Sequence, residues 1–178
     1  MSRNKLILMR HAKSDWSSDS NSDIERPLNP RGRAAAPVMA DWLVANHLVP
    51  SVILCSSATR TQETLQLMQQ RWLETTQVSD PLALPKTFVL DDLYLAVANT
   101  ILTIASSYTA HDSILVLGHN PGMQDLVSYL SQSEQEMPTA AIAFFEAVDQ
   151  CWPTKWLDVN SWAWRGLVKP RSLGKNLE

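Results

Sequence analysis

Two histidines and two arginines, far apart in the chain, each stand at or just beyond the end of a short apolar run. Arg10-His11 follows Leu6–Met9, Ser56-Ser57-Ala58-Thr59-Arg60 follows Val52–Cys55, and Gly118-His119-Asn120-Pro121-Gly122 follows Ile114–Leu117. An arginine fork binds two phosphate oxygens at once, and an imidazole can bond those that remain. Brought together, these residues would suit a phosphoryl group. Taken singly, each is an ordinary residue: a histidine after a strand is usually structural, and an arginine in a loop is usually solvated. The coincidence of three such positions carries the argument. His47 and His111 have no comparable placement and read as surface residues. Of the seven tryptophans, only Trp16 lies close enough to Arg10-His11 to line the mouth of a pocket; the others read as packing residues.

Competing chemistries fit less well. With only five glycines and no Gly-x-x-x-x-Gly-Lys-Ser/Thr, P-loop nucleotide chemistry is excluded. Gly118-His-Asn-Pro-Gly122 has His where a nucleophile elbow needs Ser. Cys55 and Arg60 are one residue too close for a cysteine-phosphatase loop, and a thiol that ends an apolar run reads as buried and inert. A metal site on His11, Asp15 and His119 lacks paired-histidine or multi-carboxylate spacing, so no metal and no cofactor is expected.

The elements that must position these residues follow from periodicity. The three apolar runs have the pattern of strands buried on both faces, as in a parallel sheet covered by helices. Ala36, Met39, Ala40 and Leu43 fall at helical spacing, as do Ala98, Ile101, Leu102 and Ala105. Leu65, Met68 and Trp72 form a third stripe, and Met123, Val127 and Leu130 a fourth. Thr87–Leu90 is a weaker strand, while 140–147 and Trp162–Val168 read as late strands near a sheet edge. Alternating strands and helices give an α/β sandwich in one domain, residues 1–178. Pro121 occupies the place of a first helical residue, which turns a positive helix end toward Gly118–Asn120. Lys13–Arg33 is a long polar loop at the carboxyl end of the first strand, where open α/β sheets bind ligands.

Composition bounds the partners. A net charge of −3 offers no basic field for nucleic acid, so anion recognition must come from a few local arginines. The apolar stretch Leu6–Met9 is too short for a signal peptide or a membrane span, and two cysteines, Cys55 and Cys151, do not make a disulfide framework. A cytoplasmic protein with free thiols and no membrane partner is expected.

At these residues the chain resembles the histidine phosphatase superfamily and, within it, the small SixA-type phosphohistidine phosphatases. The blocks are Leu8-Met-Arg-His-Ala-Lys-Ser-Asp-Trp16, Asp23-Ile-Glu-Arg-Pro-Leu-Asn-Pro-Arg-Gly32, Ser56-Ser-Ala-Thr-Arg-Thr-Gln-Glu-Thr64 and Leu117-Gly-His-Asn-Pro-Gly122, with Met137-Pro-Thr-Ala140 similar to the segment before a late strand. The resemblance spans roughly residues 4–147. It implies a phosphoglycerate mutase-like three-layer fold: a mostly parallel central sheet with helices on both faces. It also implies that His11 is the nucleophile and is transiently phosphorylated, that Arg10, Arg60 and His119 clamp the phosphoryl oxygens, that Arg26 joins the pocket, and that Asn120 supports it.

Two departures bear on function. Ala12 replaces the glycine of the usual Arg-His-Gly. The superfamily's acid after the third strand falls in Leu90-Asp-Asp-Leu-Tyr-Leu-Ala96, nearer Tyr94 than a carboxylate, with Asp92 the candidate acid closest to that place. A missing acid handicaps alkoxide release more than release of imidazole, which can carry its own proton. The expectation is hydrolysis of protein phosphohistidine through phospho-His11. The alternatives are a small-molecule phosphomonoesterase of the same chemistry and a non-catalytic module that docks phosphorylated partners.

Overall fold

The computed structural model describes residues 4–17, 22–76, 84–149 and 151–173. Strands form where the apolar runs predict them: β1 Lys5–Arg10, β2 Val52–Ser56, β3 Lys86–Leu90, β4 Ser113–Gly118, β5 Ile142–Ala147 and β6 Trp162–Val168. They make one sheet in the order β3-β2-β4-β1-β5-β6. The first four pair in parallel, β5 runs antiparallel to β1, and β6 antiparallel to β5.

Successive side chains of a strand point to opposite faces, and here each face has its own apolar layer. Ile7, Met9, Ile53, Cys55, Leu115 and Leu117 pack with helices α1 Pro30–Ala45 and α2 Thr59–Thr76. The alternate residues Leu6, Leu8, Val52, Leu54, Ile114 and Val116 pack with α3 Ala98–Ser106 and α4 Gly122–Ser131. The result is the expected three-layer sandwich. Burying each aliphatic side chain contributes roughly 1.5–3 kcal/mol, against about 1 kcal/mol net for a hydrogen bond. The central strands therefore hold the frame, and the polar site is built on it.

Four boundaries differ from the sequence reading. Helix α1 starts at Pro30, inside the stretch Lys13–Arg33 that the sequence reads as loop, because Asn29 Oδ1 caps Gly32 N–H at 2.9 Å and Pro30 supplies a pre-set φ. The long loop therefore ends at Asn29; its residues 18–21 lie outside the described residues. Gly32 permits this start, since a Cβ there would overlap the Lys13 carbonyl oxygen. Helix α2 begins at Thr59, so Arg60 is in a first helical turn and not in a loop. Pro121 is the N-cap of α4, one position before the helix. Strand β5 begins at Ile142, not at 140, because Ala140 has a left-handed φ of 60° and its N–H turns toward the carbonyls of Arg10 and His11. Only β6 of the two late strands is an edge; β5 is interior.

Candidate active site

The sheet register brings three strand ends level. Arg10 of β1 stands opposite Gly118 of β4, and Cys55 of β2 opposite Leu117. His11 and His119 are each the first residue past their strand, and the His11 N–H donates to the Gly118 carbonyl at 3.0 Å. Their rings are consequently 5.1 Å apart, both buried. Arg60, 2% exposed, comes from the adjacent start of α2.

His11 Nδ1 lies 2.7 Å from the Ala12 carbonyl oxygen. A carbonyl only accepts, so Nδ1 carries the proton and Nε2 carries the lone pair. Burial, first of all, then His119, Arg60 and Arg10 push the ring's pKa down to about 3, against the opposing pull of the Ala12 bond. At pH 7 the ring is therefore overwhelmingly neutral, where an ordinary imidazole would be partly protonated. His11 is a neutral base in one tautomer. The Ala12 N–H donates to Thr64 Oγ1 at 3.0 Å, and that hydroxyl donates to the Arg60 carbonyl at 2.6 Å, tying the segment after β1 to α2.

His119 Nε2 is 2.8 Å from Ser56 Oγ, while its Nδ1 is buried with no partner among the described residues. Burial, and secondarily Arg60, lower its pKa to about 4. Arg10 Nη1 and Asn120 Nδ2 both donate to the Met137 carbonyl, at 2.9 and 3.0 Å, so Asn120 acts beside Arg10 as a support. Arg26 is buried, bonds Ser14 Oγ at 2.8 Å, and lies 3.5 Å beneath the ring of Trp16, which is 80% exposed.

Sequence reasoning quoted Asp23 without giving it a role, yet it organises the site. Its carboxylate accepts from Arg60 Nη2 (3.0 Å), Arg26 Nη2 (2.8 Å) and the Tyr94 hydroxyl (2.7 Å). The Tyr94 bond first, then Arg60 and Arg26, hold its pKa down at about 2 despite partial burial. Tyr94 stands edge-on to the His119 ring, with centroids 5.5 Å apart. Ser56 and Thr64 were also missed as functional. Thr64 carried a signal, since it lies one helical turn after Arg60 in the same block.

Asp92 is not brought into this group. It is exposed on a 3₁₀ turn, Asp91–Leu93, and among the described residues it has no hydrogen-bond or ion-pair partner. Asp91 and Asp92 share that turn and do not alternate along an extended segment. Asp15 instead accepts from the Ser17 N–H and hydroxyl. Among the described residues no group of three or more His, Cys, Asp or Glu could hold a metal ion. Cys55 is buried, and burial pushes its thiol up to about 12, far from a nucleophile's range.

Six buried side-chain polar atoms lack a partner among the described residues: Nε of Arg10, Arg26 and Arg60, His119 Nδ1, Ser57 Oγ and Asn120 Oδ1. All lie at this one edge. The three guanidinium Nε atoms are donors, and buried donors without acceptors are costly; an oxyanion is a group that accepts from such donors. Asn120 Oδ1 is an acceptor, and nothing in the structure explains its isolation. Three guanidinium charges against one carboxylate leave a net excess of two positive charges, matching a phosphoryl dianion.

Comparisons with known proteins bear on the family and the fold. The model of the histidine phosphatase superfamily (branch 1) matches residues 6–83. An uncharacterised chloroplastic protein of Arabidopsis thaliana is 32% identical over 172 residues, covering 94% of this chain and 78% of that protein. An uncharacterised protein of Mycobacterium tuberculosis is 47% identical over 57 residues, which is 32% of this chain and 35% of that one. Among solved structures, the protein histidine phosphatase SixA complexed with tungstate superposes with a TM-score of 0.75 at 23% identity, covering 96% of this chain and 99% of that one. The Agrobacterium tumefaciens protein provisionally designated phosphohistidine phosphatase SixA gives 0.74 at 24% identity, covering 95% of this chain and all of its own. At these identities the superpositions speak for the fold. No helix among the described residues is long and apolar enough to cross a membrane. With sequence, fold and family model in agreement, the chain belongs to the histidine phosphatase superfamily, and phosphatase chemistry is the activity that this membership supports.

Proposed function

We propose that the protein hydrolyses phosphohistidine on a protein partner in two steps through phospho-His11. The observation that carries this is the bond from His11 Nδ1 to the Ala12 carbonyl, which leaves a neutral Nε2 beside Arg10, Arg60 and His119. In the first step Nε2 attacks phosphorus as the N–P bond to the substrate ring breaks. The substrate imidazole, protonated on its other nitrogen, departs neutral. The arginines and His119 Nδ1 take the charge of the equatorial oxygens. Because Nδ1 keeps its proton, phospho-His11 is an imidazolium. In the second step water attacks phosphorus, the N–P bond returns its electron pair to Nε2, and neutral His11 is restored, with the water's proton going to phosphate and solvent.

The choice of an N–P substrate over an alcohol ester is supported by the state of the site's carboxylate. Asp23 is ion-paired and held at about 2, so at neutral pH it accepts bonds and donates no proton. Exposed Asp92 stands apart. A leaving group that brings its own proton suits this pocket better than an alkoxide. The tungstate bound by the SixA relative is a tetrahedral oxyanion, in keeping with a pocket for a phosphoryl group. Assay of the pure protein on a histidine-phosphorylated protein beside aryl, serine and sugar phosphates, with and without EDTA, tests the reading. Phosphohistidine and aryl phosphates should turn over well, alcohol phosphates poorly, and EDTA should leave all rates unchanged. Preferential cleavage of sugar phosphates would support the small-molecule phosphomonoesterase instead, and no turnover of any substrate the phosphate-binding module.

A further inference from the structure

A second cationic region lies on the same sheet edge, beside the pocket and outside the chemistry above. A cleft of about 310 Å³ is walled by Lys13, Arg31, Lys169 and Arg171, with Glu136 as the one carboxylate among its lining residues. Four basic side chains and one carboxylate give this lining a basic character in a chain whose net charge is −3. Glu136 does little to cancel it: its distance to Lys169 Nζ is 3.7 Å and its side chain is 86% exposed, a surface pair worth little.

The topology puts this cleft beside the nucleophile. Met9, Ile142 and Val168 form one row across β1, β5 and β6, so Lys169 is level with Arg10, two strands away. Two inter-strand steps are roughly 10 Å. Lys13 is two residues beyond His11, and its carbonyl accepts the Asn29 N–H at 3.0 Å, which sets Arg31 alongside it in the first turn of α1. Thr139, on the cleft wall, precedes Ala140, whose N–H bonds the carbonyls of Arg10 and His11. On the Tyr94 side the exposed residues among those described include no cation: Leu95 and Val97 are 50% and 63% exposed, beside the exposed carboxylates of Asp91 and Asp92.

From this arrangement the geometry points to a docking face for the phosphorylated protein, in which Lys13, Arg31, Lys169 and Arg171 receive an acidic surface flanking the phosphohistidine. This rests on the reading of the pocket as a phosphohistidine phosphatase site. A protein is favoured over a small polyanion because the cations are mostly solvent-exposed and come from three separate segments along the edge, the one after β1, the start of α1 and the one after β6. Small ligands are largely enclosed by their sites, whereas exposed charge steers and aligns a protein surface.

The test uses phosphohistidine peptides with acidic, neutral or basic flanks, the wild-type protein and a Lys169→Glu/Arg171→Glu variant. Anisotropy of the labelled, unphosphorylated acidic peptide measures docking without chemistry. Wild type should favour the acidic flank over the basic one in kcat/KM by roughly tenfold or more, and bind the acidic peptide. Both effects should vanish in the variant and near 1 M NaCl, where the screening length is about 3 Å. Turnover of para-nitrophenyl phosphate should be unchanged in the variant, which shows that the pocket is intact. Equal kcat/KM for all flanks, or an acidic preference that survives the charge reversal, overturns the proposal. So does competition by inorganic tripolyphosphate without any binding of the acidic peptide, which would make the cleft a small-ligand subsite. If the acidic peptide binds in the expected charge-dependent way but no phosphohistidine is cleaved, the docking face stands and the catalytic reading falls.

Discussion

Two polar-aromatic regions of the molecule look alike in composition and opposite in their bonding. At the corner of β5, β6 and the segment between them, Trp152 and Trp156 stack 5.1 Å apart and Trp162 closes on both. There the indole N–H of Trp152 donates to the His111 carbonyl at 2.7 Å and that of Trp162 to the Trp156 carbonyl at 2.9 Å. In the strand-end pocket, by contrast, three guanidinium Nε atoms and His119 Nδ1 are buried without a partner among the described residues. Buried polar groups that serve only the fold end up satisfied. Those left unsatisfied belong to a place where the folded chain is complementary to something else.

The sharpest way to break this contrast is at the nucleophile. His11→Ala should lower turnover by roughly 10⁴-fold or more, as loss of a covalent nucleophile does, with little change in Tm. Rapid quench of the wild type should trap acid-labile phosphate on His11. Phosphate found on His119 instead would reassign the attack.

Trp162→Ala should do the reverse. Removing a tryptophan that is 5% exposed costs about 3–5 kcal/mol of stability, read as a lowered urea midpoint, while kcat per folded molecule stays within about twofold. A large loss of kcat would mean that the corner is coupled to the pocket.

Acid should strain the pocket first. His11 and His119 titrate at about 3 and 4 when folded and near 6.5 when unfolded, so between those values the unfolded chain binds more protons, and stability falls as pH drops. Asp23 works in the same direction: its contribution is present above about pH 4 and lost as pH falls through about 2. Asp23→Asn should therefore be less stable than wild type at pH 5, and the two should converge below pH 2. A constant gap across that range would show that the Arg60, Arg26 and Tyr94 bonds do not depend on its charge.

The smallest expected effect is at Asp92. Exposed and unpartnered on its turn, Asp92→Asn should change the phosphohistidine rate by less than about threefold. A drop of ~100-fold, the size of a general-acid effect, would make it the acid and the protein a general phosphomonoesterase.

What the sequence determined by itself was the frame and the identity of the reacting groups. Unbroken runs such as Leu6–Met9 and Ile114–Leu117 can be satisfied only by burial on two faces, which requires helices above and below and therefore strand ends along one edge. Arg10, His11, Arg60 and His119 followed, because each sits at or just past such an end. What only the tertiary structure decided depends on contacts between distant segments. The Ala12 carbonyl chooses the tautomer of His11, and a carbonyl is present at every position of any sequence, so nothing marks this one out. Asp23 gains its role from Arg60, 37 residues away, and Tyr94, 71 residues away. Residues 140–141 fell outside β5 because the backbone of Arg10 and His11 claimed their bonds. Lys169 and Arg171 came beside the pocket only because β5 reverses and β6 reverses again, returning a strand parallel to β1 with its carboxyl end at the reacting edge. Local pattern fixes which face a residue buries; which distant groups it then meets is settled by strand order and register, which local periodicity does not encode.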